Sequence, residues 1–144
     1  MPEASEEPLG GFAFVRERIA ADNPAWTLLG IRLSRLTQGR AILSLPFRPE
    51  LCNPHGAVHG GLITALLDAA GGCALYTALP PGARVATVEL KVNFLRPLRG
   101  DARGEGEVVR AGSRLGVSSV RALGPEGDPC AVGLITYVVE GAPR

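Results

Sequence analysis

Asn53-Pro54-His55-Gly56-Ala57-Val58-His59-Gly60-Gly61 runs directly into an almost wholly apolar segment that ends at Leu79, with Asp68 as its one charged residue. The apolar run predicts a buried helix from about Gly60 to Ala78, stopped by Pro80-Pro81-Gly82. A glycine-rich turn at the head of such a helix leaves backbone N–H groups free to face an electron-rich atom. A lone carboxylate inside it is costly unless it is paired or used. One short stretch therefore offers an electrophile stabiliser and a base or nucleophile. The run is also near the roughly 20 apolar residues of a bilayer span. It has no basic flank and no aromatic belt, and strand-like sequence comes after it, so a buried helix of a globular domain is expected.

Outward from this segment, both sides read as antiparallel sheet. Before it, Ile31 to Leu36 and Arg40 to Phe47 alternate apolar and polar residues around a Thr37-Gln38-Gly39 turn. After it, strands are expected over Val85 to Leu95, Asp101 to Ala111, Leu115 to Leu123 and Cys130 to Val139, with glycine-containing turns between them. In the first of these, strict alternation puts Val88, Leu90, Val92 and Phe94 on one face and Thr87, Glu89, Lys91 and Asn93 on the other. Residues 1–10 read as a flexible tail, and residues 11–29 as an N-terminal helical segment broken at Asn23-Pro24. A single α+β domain over residues 1–144 is the result. A helix apolar all round must be covered all round. A six-stranded sheet covers part of it, and a second copy of the chain would cover more, so self-association is expected.

The bulk properties narrow the function. A net charge of +1 over 144 residues gives no electrostatic case for nucleic acid or an acidic membrane surface. Three dispersed cysteines, Cys52, Cys73 and Cys130, support neither a disulfide framework nor a cysteine zinc site. The acidic start, with Glu3, Glu6 and Glu7, has no apolar core of a secretory signal, and a cytoplasmic protein is expected. His55 and His59 have the spacing of a metal pair, but Pro54, Gly56 and Gly60 argue against helix there and no third ligand stands nearby, so no metal is expected.

The candidate chemistry lies at a few positions. Gly60 either makes a tight turn or presents its N–H to a carbonyl oxygen that becomes an oxyanion. Gly61, also without a Cβ, would let a substrate approach the backbone. His59 either orients the loop or donates toward a substrate carbonyl, and Asn53 either donates likewise or ends the loop in an Asx turn. Asp68 is a structural carboxylate or a base, and Thr87 an ordinary strand residue or its partner. Asp68 lies roughly 12 Å along the helix axis from Gly60, at 1.5 Å per residue. That is too far for both to act on one carbonyl within one chain, but antiparallel helices from two chains could bring them together. Arg96, Arg99, Arg110 and Arg114 lie around the later turns, as a solvated surface or a phosphate-binding patch. Leu51, Ala57, Val58, Leu62, Ala65, Tyr76 and Leu79 are candidate pocket residues.

The pattern Asn53-(x5)-His59-Gly60-Gly61-(x6)-Asp68, with Val92-Asn93-Phe94-Leu95-Arg96-Pro97 further along, resembles the hotdog-fold acyl-CoA thioesterases of the PaaI type over about residues 28–140. The resemblance implies a long central helix wrapped by a curved sheet, paired into dimers with a continuous sheet and often into tetramers. It implies hydrolysis of an acyl-CoA to free acid and coenzyme A, without a cofactor. Gly60 would hold the thioester carbonyl, supported by Asn53 and His59. Asp68 of the partner subunit would be base or nucleophile, with Thr87 beside it. Gly61, Arg96, Arg99 and Arg114 would contact substrate. Two other functions fit the same residues: a hydratase or dehydratase acting on enoyl or hydroxyacyl thioesters, and a non-catalytic acyl-CoA binder.

Overall fold

A computed structural model describes residues 9–142 of the chain. The tail expected over residues 1–10 falls outside it for residues 1–8; Leu9 is described, and its carbonyl accepts from the Gly82 N–H. The N-terminal segment forms α1 (Gly11–Phe14), continues as one π-helical stretch (Val15–Ala20), and after a break forms α2 (Pro24–Leu29). Asn23 caps α2 by accepting from the Trp26 N–H at 3.2 Å. Val15 is fully buried, and the Phe14 ring packs on Tyr76 with centroids 4.9 Å apart.

The chain then supplies six strands: β1 (Arg32–Thr37), β2 (Arg40–Leu45), β3 (Arg84–Phe94), β4 (Ala102–Ala111), β5 (Leu115–Leu123) and β6 (Pro129–Glu140). They form one antiparallel sheet in the order β1-β2-β4-β5-β6-β3. The central helix, α3 (Gly60–Tyr76), lies between β2 and β3 in sequence and packs against the middle of the sheet. Among the described residues no helix is long and apolar enough to cross a membrane.

Helix α3 approaches the sheet closely because glycines remove side chains at the contact. A Cβ on Gly71 would collide with the Tyr137 hydroxyl, and one on Gly106 of β4 would collide with the Ala70 carbonyl. Its burial is uneven. Ala70 to Tyr76 are buried throughout, whereas Leu62, Ala65, Asp68 and Ala69 are only half covered. These positions, spaced three and four apart, form one stripe along the N-terminal half of the helix.

The stripe lies beside an open sheet edge. Strand β3 pairs with β6 on one side and with no other strand. Val88, Leu90 and Phe94 on this strand are exposed by 60%, 39% and 52%. A long edge strand with exposed apolar side chains invites pairing with another chain.

Strand β3 also departs from strict alternation. Thr87 pairs with Tyr137 and Glu89 with Thr136, so Val88 is an extra, bulged residue. Beyond the bulge the phase of the strand is reversed. Leu90 opposes the fully buried Ile135, and Phe94 opposes the fully buried Ala131. Thr87 therefore shares the helix-facing side with Leu90, Val92 and Phe94. The alternation expected from the sequence placed Thr87 on the opposite face; the bulge corrects it.

Candidate active site

The site begins in the segment that leads into α3. After a short 3-10 turn (Pro49–Leu51), Cys52 bridges to Val58, and the loop between them closes. Asn53 builds that loop. Its Oδ1 accepts from the His55 N–H at 2.9 Å and from the Ala57 N–H at 3.2 Å, an Asx turn. The turn occupies the carbonyl oxygen and leaves the side-chain NH2 as a donor. Gly56 takes φ +78°, which a side chain would strain. Val58 N–H donates to the Leu98 carbonyl, and Arg99 donates to the His55 carbonyl at 2.8 Å, so the loop is tied to the segment after β3.

His59 caps α3. Its Nδ1 accepts from the Gly61 N–H at 2.9 Å. With Nδ1 accepting, the neutral ring carries its proton on Nε2, which becomes the donor of an exposed imidazole. The Gly61 N–H is therefore engaged by His59, although the sequence marks Gly61 as a place where substrate would approach the backbone. A Cβ on Gly61 would lie 3.1 Å from that Nδ1, so the glycine gives the ring room to fold back. The Gly60 N–H has no backbone partner among the described residues and stands at the positive end of a 17-residue helix. The Phe94 ring would come within 3.0 Å of a Cβ at this position.

Asn53 and Gly60 open onto a groove of about 670 Å³ lined also by His55, Ile63, Phe94, Leu98 and Arg99, among others, whereas His59 and Gly61 lie outside its lining. Val58, Ile63 and Leu98 are buried and supply apolar walls. Arg96 and Arg99 stand on its rim, with Arg96 in a 3.6 Å ion pair with Asp128. Arg114 is elsewhere. Its carbonyl accepts from the Val139 N–H near the end of β6, whereas Leu95 and Arg96 pair with Cys130 near the start of that strand. Successive turns of an antiparallel sheet fall at opposite ends, and 10-residue β4 separates them by about 30 Å. The arginines read as one group thus divide, with Arg96 and Arg99 at the groove and Arg110 and Arg114 at the far end. Of the candidate pocket residues, Ala57 and Val58 line the groove, while Tyr76 closes the opposite end of α3. Ile63, Phe94 and Leu98 were not anticipated from the sequence.

Asp68 does not line the groove. Two turns further along α3, its Oδ1 accepts from the Thr87 hydroxyl at 2.7 Å, across to strand β3. Its backbone carbonyl accepts from the Tyr137 hydroxyl at 2.8 Å. Burial and the nearby Asp68 carboxylate push the Tyr137 hydroxyl well above its ordinary pKa, so it stays a protonated donor. Within one protomer the groups divide into a donor half at Asn53, His59 and Gly60 and a carboxylate half at Asp68 and Thr87.

A second groove, about 700 Å³, crosses the outer face of the sheet. Its charges are largely matched, Arg40 to Glu107 at 2.8 Å and Arg121 to Glu105 at 2.7 Å, and it touches neither half-site.

A long helix wrapped by a curved six-stranded antiparallel sheet is the hotdog fold, and the chain belongs to the thioesterase superfamily, whose family model matches residues 55–131. A provisionally named esterase of Halobacterium salinarum is 38% identical over 109 residues, covering 72% of each chain. A thioesterase family protein from Silicibacter pomeroyi superposes with a TM-score of 0.80 at 33% identity, over 90% of this chain and 96% of that one. The E. coli PaaI protein of the phenylacetic acid degradation operon superposes with a TM-score of 0.81 over 92% and 95%, at 18% identity, a likeness of fold alone.

Proposed function

We propose that the protein is an acyl-CoA thioesterase that hydrolyses an acyl- or aryl-acyl-CoA to the free acid and coenzyme A, at a site shared between two subunits. One observation carries the reading. The donor half and the carboxylate half lie on the same helix about 12 Å apart, and the carboxylate lies beside the open β3 edge. Pairing two β3 edges would continue the sheet and set the half-covered α3 stripes of two protomers against each other. Asp68 of the partner subunit would then meet Gly60. A dimer of this kind is the assembly the site requires, and such dimers are expected to pair into tetramers. The three free cysteines, two of them buried, suit a reducing cytoplasm.

In this arrangement the thioester carbonyl oxygen accepts from the Gly60 N–H, with the Asn53 NH2 and His59 Nε2–H beside it. Asp68 of the partner subunit takes a proton from water as its oxygen attacks the carbonyl carbon. Thr87 holds Oδ1, which leaves Oδ2 for the water. The negative charge that develops on the carbonyl oxygen meets donors already in place, about 3–4 kcal/mol of transition-state stabilisation per donor. Collapse of the tetrahedral intermediate breaks the C–S bond, and the thiolate of coenzyme A departs and is protonated. The thioester is already activated, so the chain's own residues suffice for the chemistry.

Arg96 and Arg99, on the groove rim, would hold phosphates of the coenzyme A portion. The test is thiol release measured across a panel of acyl-CoA esters, with the corresponding N-acetylcysteamine thioesters alongside. Wild-type protein is expected to release thiol from at least one CoA ester. Arg96→Ala is expected to raise KM for that ester severalfold and to leave KM for the phosphate-free thioester unchanged. Saturable binding of CoA esters with no thiol released over hours would instead show a non-catalytic binder. Loss of enoyl absorbance without thiol release would show a hydratase.

A further inference from the structure

We infer that Tyr137 is a positioning residue for Asp68: its hydroxyl fixes the backbone of that residue while Thr87, its direct cross-strand partner, fixes the carboxylate. The inference rests on the reading of Asp68 as the base, and it adds a residue that the sequence pattern does not mark.

The geometry is specific. Thr87 and Tyr137 are paired in register across β3 and β6. From that one pair, two hydroxyls reach one residue of α3, at 2.7 Å to Oδ1 and 2.8 Å to the main-chain carbonyl. The bulge at Val88 turns Thr87 toward the helix. Gly71, one turn beyond Asp68, leaves the space that the Tyr137 hydroxyl fills. Tyr137 is 2% exposed, so its hydroxyl depends on this partner. A carbonyl has two lone pairs, so the Asp68 carbonyl can take the tyrosine hydroxyl in addition to a helical N–H. Thr87 holds only the carboxylate end of Asp68 and leaves its main chain untouched. The second bond, from β6 inside the sheet, ties the Asp68 backbone to the rigid part of the fold.

The structure also provides a matched control. Ser118, fully buried on β5, donates to the Gly71 carbonyl at 2.9 Å, three residues further along α3. It fastens the same helix to the same sheet by the same kind of bond, but its hydroxyl bonds to Gly71 rather than to Asp68.

The experiment compares Tyr137→Phe with Ser118→Ala, using the CoA ester that wild type hydrolyses best, with Tm measured in parallel. Tyr137→Phe is expected to lower kcat roughly ten-fold, as small misplacements of a reacting group do, with KM within two-fold of wild type. Ser118→Ala is expected to lower Tm by a comparable amount and to keep kcat within two-fold. Unchanged kcat in Tyr137→Phe, or an equal loss in Ser118→Ala, overturns the inference while leaving the thioesterase reading intact. Wild-type protein with no thiol release, or Asp68→Asn with full activity, removes that reading and the inference with it.

Discussion

Asp68→Asn is expected to lower kcat for thioester hydrolysis by roughly 10²–10⁴-fold, the usual contribution of a placed general base. The substitution changes almost nothing else. An asparagine keeps an Oδ1 that can accept from the Thr87 hydroxyl, so the 2.7 Å contact survives, and the Tyr137 bond goes to the main chain and is untouched. Tm and oligomer size should stay near wild type, and KM should move little, because the carboxylate acts on water rather than on the ester. Kinetics with size-exclusion light scattering on the same sample checks all three. Full activity in the variant would show that Asp68 is a structural carboxylate.

The second large effect is expected at Gly60. Proline there deletes the N–H proposed to hold the carbonyl oxygen, and the backbone is already suited to it. Gly60 is the first residue of α3, the helical position where proline is best tolerated. His59 before it has φ −58° and ψ 131°, an extended ψ of the kind a residue preceding proline prefers. The half-exposed Phe94 ring, 3.0 Å from a Cβ at this site, has room to give. Gly60→Pro should therefore fold and lose roughly 10²–10³ in kcat, as deletion of one oxyanion donor does. A variant that folds with unchanged kcat would remove Gly60 from the chemistry.

Much of this was legible in the chain. The length of the apolar run after Gly61 and its proline stop read as a covered helix, and the alternation of the segments around it reads as sheet, which puts α3 and the six strands near their observed ranges. Asp68 stood out because a charge in that run needs a reason. What periodicity could not show was the bulge at Val88. No glycine marks it, and one extra residue reverses the phase of the strand, which is how Thr87 reaches Asp68. The arginines misled for a different reason. They are close in sequence, but successive connections in an antiparallel sheet lie at opposite ends of it, and that rule alone separates Arg114 from Arg96. Tyr137 carried no local signal either. The clue lay in α3, where Gly71-Gly72 is a costly pair for a helix interior, about 1 kcal/mol each relative to alanine. Such a pair points to close approach, and at Gly71 it is the tyrosine hydroxyl, whereas a Cβ at Gly72 would meet the Tyr137 ring only at an ordinary 3.6 Å. The groove residue Phe94 was visible as an apolar strand residue, but its approach to Gly60 depends on where the strand edge meets the helix.

The central claim is that neither half-site works alone, and subunit mixing tests it most directly. Asp68→Asn and Gly60→Pro chains, each inactive by itself, can be co-expressed or unfolded and refolded together. Random pairing into two-fold dimers makes about half of them mixed, and each mixed dimer has one intact site of two. A shared site predicts that the mixture recovers about a quarter of wild-type activity, all of it in the mixed species when the chains carry different tags. A mixture that stays at the level of its inactive parents, although mixed dimers are present, would place the whole site within one chain and contradict the claim.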